Sequence, residues 1–87
     1  MSIGFEDDPA RVGRVMRRLR VGKNMTQADL AYEAEINVSY YCAVENGESN
    51  ISLRKFLSVC RALREPADHV MALILDNGPE GYRIAEP

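Results

Sequence analysis

Between Thr26 and Ile51 the chain reads TQADLAYEAEINVSYYCAVENGESNI, and this stretch constrains the fold more than any other. Thr26 is placed to N-cap a helix, with Asp29 three residues on as a relative of the capping box. Leu30, Ala31 and Ala34 then share one helical face. Asn37 can cap a second helix, in which Tyr41 and Val44 face inward and Asn46-Gly47 supplies the stop. Only Glu35 and Ile36 separate the two, so the connection must be a sharp corner. Two helices meeting there at an open angle make a helix-turn-helix, whose second helix has the dimensions of the major groove of B-DNA.

The flanking segments supply the rest of a small helical body. Asp8-Pro9 opens a first helix, with Val12, Val15, Met16 and Leu19 as its apolar stripe and Gly22 as its end. After a polar loop, Ser52 caps a fourth helix with the stripe Leu53, Phe56, Leu57, Cys60 and Leu63. Arg64-Glu65-Pro66 breaks the chain, and a fifth helix over 67–76 carries Val70, Met71, Leu73, Ile74 and Leu75. That is more apolar surface than one core-facing stripe needs, so Val70, Leu73 and Ile74 are assigned to a homodimer interface. The expected organisation is one all-α domain over 1–78 with helix five as the dimer contact, followed by a mobile tail over 79–87.

Charge is distributed unevenly. Residues 1–9 hold three acids and no base, 10–64 hold ten bases against five acids, and 65–87 hold five acids against one base. A net charge of −2 therefore conceals a basic middle, and affinity for phosphate follows the local field. Without an apolar run of about eighteen residues no membrane span is expected, and the acidic start does not suit a signal peptide, so the reading is cytoplasmic. Cys42 and Cys60 are too few and too far apart for a disulfide framework or a zinc site. The single histidine, His69, has only Asp68 and Glu65 nearby, and no glycine-rich phosphate loop or nucleophile–base set is present, so neither an enzyme nor a cofactor is expected.

Thr26-Gln27, Leu30-Ala31, Ile36-Asn37, Val44-Glu45-Asn46-Gly47 and Asn50-Ile51-Ser52-Leu53 together resemble the Cro/C1-type (XRE-like) helix-turn-helix regulators, over about residues 10–75. The DLAYEA stretch and Tyr40 look in particular like restriction–modification controller proteins. The resemblance implies an all-α, five-helix lambda-repressor-like domain that binds double-stranded DNA as a homodimer on a palindromic operator, as an autoregulatory transcriptional regulator. It implies base reading by Asn37, Val38, Ser39, Cys42 and Ala43, and phosphate contacts from Gln27, Tyr40, Asn46, Asn50, Arg54 and Lys55. Arg20 and Glu45 match a pair that ties helix one to the end of helix three. Taken alone, the residues also leave open Gln27 as a solvated first-turn side chain and Arg20 and Glu45 as surface charges.

Four positions depart from the family pattern. Glu35 stands where a left-handed glycine is usual, Ile51 replaces proline, and Tyr41 replaces a branched aliphatic residue. Glu48 occupies a place where a phosphate-facing lysine is common. The reading helix itself, from Val38 onward, lacks the Arg, Lys, Asn or Gln side chains that make bidentate base contacts. Its apolar character and the acidic ends motivate an alternative: an antitoxin-like or accessory module that binds a protein partner on the same fold.

Overall fold

A computed structural model describes residues 8–75. They form five helices: α1 Asp8–Gly22, α2 Gln27–Ala34, α3 Val38–Glu45, α4 Leu53–Leu63 and α5 Ala67–Leu75. There is no strand among the described residues, in agreement with the all-α expectation. The expectation for residues 79–87 lies outside the described residues.

Each of the three middle helices starts on a side-chain cap. The Thr26 hydroxyl accepts from the Asp29 N–H at 2.9 Å while the Asp29 carboxylate accepts from the Thr26 N–H at 2.9 Å, completing the capping box. The Asn37 side-chain carbonyl accepts from the Tyr40 N–H at 2.9 Å, and the Ser52 hydroxyl from the Lys55 N–H at 3.2 Å. Caps of this kind are worth about 1 kcal/mol each, a substantial share of the stability of eight-residue helices that could not persist alone.

Helices α1 to α4 all end in the same way. A residue in the left-handed conformation follows the last turn, and two N–H groups reach back to orphaned carbonyls: Met25 to Arg20, Ile36 to Ala31, Glu48 to Ala43 and Glu65 to Cys60 make the longer bonds. The left-handed residues are Asn24 (φ 59°), Glu35 (φ 60°), Gly47 (φ 77°) and Arg64 (φ 61°), so only one is glycine. The corner between α2 and α3 therefore has its usual geometry despite Glu35, whose Cβ makes the conformation cost about 1 kcal/mol relative to glycine. Helix α1 ends at Gly22, as expected from sequence, and Asn24 supplies the left-handed residue that turns the chain.

The core joins Val15 and Met16 of α1, Leu30, Ala31 and Ala34 of α2, Tyr41 and Val44 of α3, Phe56, Val59, Cys60 and Leu63 of α4, and Val70 and Ile74 of α5. Helix α1 packs on α3 and α5, α2 on α3 and α4, and α4 on α5. Two details of the sequence reading are corrected. On α4 the buried arc is Phe56, Val59, Cys60 and Leu63, while Leu53 and Leu57 remain 70% and 36% exposed. On α5, Val70 and Ile74 are 0% and 4% exposed inside the protomer, so they cannot form a dimer interface. Leu73 is half-buried, and Met71 and Leu75 face outward.

Candidate nucleic-acid interface

Helix α3 is too short to hold its own orientation and is fixed from beneath. Tyr41 and Val44 are fully buried, and α1 lies so close that Gly13 touches the backbone of α3. A Cβ at Gly13 would stand 2.6 Å from the Val44 carbonyl oxygen and closer still to that of Glu45. Gly13 was not singled out from sequence; its place between Val12 and Val15, inside the apolar arc, was the available signal.

At the end of α3 the Glu45 carboxylate is the centre of a buried network. Arg20 grips it with two bonds, Nε to Oε2 at 2.6 Å and Nη2 to Oε1 at 3.0 Å, and also donates from Nη1 to the Met25 carbonyl at 2.8 Å. The Tyr41 hydroxyl donates to Oε2, and Gln27 Nε2 donates to Oε1 at 3.0 Å. The pair is therefore buried and bidentate, with side chains 10% and 1% exposed, rather than a pair of surface charges. Burial pushes the Glu45 carboxyl up, but the bonds from Arg20, Tyr41 and Gln27 outweigh it and leave it below the usual carboxylate range. The hydrogen bond to Glu45 raises Arg20 further above its ordinary value, and burial together with the neighbouring carboxylate raises the Tyr41 phenol. From sequence Tyr41 is a bulky core residue; its position four residues before Glu45 on one helix also brings its hydroxyl to the carboxylate.

The opposite face of α3 is open. Asn37, Val38 and Ser39 are exposed, and Cys42 and Ala43 are half-buried, so the five sequence-predicted base-reading positions share one side of the helix. The Asn37 carbonyl is committed to its cap, which leaves its amide nitrogen for an outside partner. Cys42 is turned toward α2: its thiol donates to Gln27 Oε1 at 3.1 Å.

Around this face lie the sequence-predicted phosphate positions. Gln27 opens α2, half-buried, with its amide held between Cys42 and Glu45. Tyr40 is half-buried with its hydroxyl 3.4 Å from both the Asn50 carbonyl, to which it donates, and the Ser52 N–H, from which it accepts. Lys55 Nζ sits 5.3 Å from the centre of the Tyr40 ring, so the start of α4 is drawn against α3. Asn46, Asn50 and Arg54 are exposed, as is Glu48, an acid on the same rim. Arg14, Arg17 and Arg18 are exposed along one side of α1. No group of three or more His, Cys, Asp or Glu that could hold a metal occurs among the described residues, and no helix among them is long and apolar enough to cross a membrane.

This arrangement agrees with known proteins. The helix-turn-helix family matches residues 16–70. The control protein C.BamHI of Bacillus amyloliquefaciens is 35% identical over 52 residues, which is 59% of this chain and 64% of that protein, so less than two thirds of the relative's length is spanned. The crystal structure of the restriction–modification controller protein C.AhdI of Aeromonas hydrophila superposes with a TM-score of 0.71 at 32% identity, covering 72% of this chain and 96% of that one. The fold is also that of the controller protein C.Esp1396I, described as a tetramer in complex with its natural 35 base-pair operator, with a TM-score of 0.68 at 24% identity over 78% and 95% of the two chains.

Proposed function

The chain belongs to the XRE-type helix-turn-helix family and is a DNA-binding regulator related to restriction–modification controller proteins; from that premise we propose that it acts as a homodimer on a palindromic operator and controls its own transcription. The observation that carries this reading is the open face of α3, where Asn37, Val38, Ser39, Cys42 and Ala43 lie together above a buried anchor. Two such helices related by a two-fold axis would enter successive major grooves about one helical turn apart. Gln27, Tyr40, Asn46, Asn50, Arg54 and Lys55 would hold phosphates at the rim, and base discrimination would come from Ser39, from apolar contacts to thymine methyls, and from the deformability of the operator.

The dimer contact belongs to the outer side of α5, where Met71 and Leu75, one turn apart and exposed, supply the apolar surface that Val70 and Ile74 do not, while Leu73 packs against the protomer's own core. Met71→Glu, at an exposed position, should convert a dimer into a monomer in light scattering and weaken operator binding at least about tenfold in the same concentration range, since a single half-site contact remains. A wild-type monomer at micromolar concentration, or a Met71→Glu monomer with full operator affinity, would remove the two-fold geometry. The apolar Val38 side chain and the exposed Glu48 favour a second reading, a protein-binding module; such a module would show no steep salt dependence on DNA and would co-purify with its partner.

A further inference from the structure

Gln27 opens α2 with its carboxamide fixed at both ends. Its oxygen accepts from the Cys42 thiol at 3.1 Å, and its nitrogen donates to Glu45 Oε1 at 3.0 Å. The acceptor-only Glu45 carboxylate excludes the flipped amide, and in the orientation it selects the carboxamide oxygen faces the Cys42 thiol, which donates to it. An amide nitrogen carries two hydrogens, and Glu45 takes one of them. The other is left for an acceptor outside this network, beside the free backbone N–H groups of the first turn of α2.

We propose that Cys42 is a positioning residue: through its thiol, with Glu45 on the other side, it presets the Gln27 amide so that the remaining N–H is presented to a DNA phosphate. The proposal rests on the DNA-binding reading above and gives Cys42 a different task from the base reading assigned to it from sequence. Its half-buried side chain points across to α2, and the acceptor it engages belongs to a phosphate-facing residue rather than to a base edge. A preset donor enters the complex without losing rotamer freedom, and a phosphate contact carries no sequence information. Cys42 therefore contributes to affinity on every sequence alike.

The test compares wild type, Cys42→Ala and Cys42→Ser in two measurements. In the free protein, the Gln27 side-chain amide signals are followed by nitrogen–proton NMR. In the complex, affinity is measured on the duplex upstream of the gene, on a set of single base-pair variants of it, and on a scrambled duplex. Cys42→Ala should shift the Gln27 amide signals toward free-amide positions and weaken binding by about fivefold across the whole duplex set, and Cys42→Ser, which keeps a donor, should restore both. Unmoved Gln27 signals in Cys42→Ala, or a change of preference confined to one base pair, would overturn the proposal. The NMR arm is read without DNA. A wild-type protein that fails to separate the upstream from the scrambled duplex would thus count against DNA reading, while the positioning of Gln27 by Cys42 is decided on its own signals.

Discussion

Replacing Glu45 by alanine should lower the unfolding free energy by about 3–5 kcal/mol, which is most of what a domain of this size possesses. The size follows from what the carboxylate leaves behind. Arg20 keeps the Met25 carbonyl but loses both bonds to its counter-ion, and the fully buried Tyr41 hydroxyl loses its acceptor. Thermal unfolding followed by circular dichroism should show a midpoint lower by more than about 10 °C. A paired replacement, Arg20→Met with Glu45→Leu, should cost less than either single change, because no buried charge is then stranded. Equal and additive losses would mean that the pair contributes only as packing. The pH dependence has a definite sign. Glu45 titrates below its unfolded value, so its stabilisation is complete above about pH 4.3 and is lost as pH falls through the lowered folded value. Glu45→Gln should lack that part of the acid limb.

Gly13→Ala should be nearly as damaging although it adds one methyl group. The new Cβ would meet two backbone carbonyls of α3, and carbonyls held in a helix cannot swing aside as a flexible side chain can. Helix α1 must then lift from α3, at a cost of about 3 kcal/mol, and it carries Arg20 away from Glu45 as it does so. Gly22→Ala is the control on the same helix: nothing lies within 4 Å of its Cβ position, and better helix propensity should leave stability unchanged or raised by up to about 1 kcal/mol. Chemical denaturation of the two variants side by side checks this. A Gly13→Ala protein as stable as wild type would show that the α1–α3 crossing is looser than its geometry.

The two central helices were legible because their signals are local. The Thr26–Asp29 box, the Asn37 cap and the Asn46-Gly47 stop involve residues within one turn of each other, and all are found where the pattern places them. The Arg20–Glu45 pair was reached only through resemblance, since nothing about two opposite charges 25 residues apart indicates that they meet in the interior. Helices α4 and α5 show the limit of periodicity. On α4, Leu53 and Leu57 border the apolar arc, so a stripe drawn by spacing takes them in although they stay exposed. Helix α5 is apolar on most of its circumference, which does not reveal which side meets its own core, so spacing assigns Val70 and Ile74 to a dimer contact when burial runs the other way. The partner of the Cys42 thiol is hidden from the sequence for a related reason. The pattern locates Cys42 on the outer side of α3, but which neighbour its thiol engages depends on the crossing of α2 and α3, a tertiary quantity.

Everything proposed for this protein depends on α3 reading DNA. Fluorescence anisotropy of the full chain against the duplex upstream of its gene and against a scrambled duplex, at about 50 mM and about 200 mM salt, tests it directly. The account predicts binding to the upstream duplex on the order of a thousandfold tighter than to the scrambled one, with affinity for both falling steeply as salt rises. Equal affinity for the two duplexes, or none for either, would contradict it.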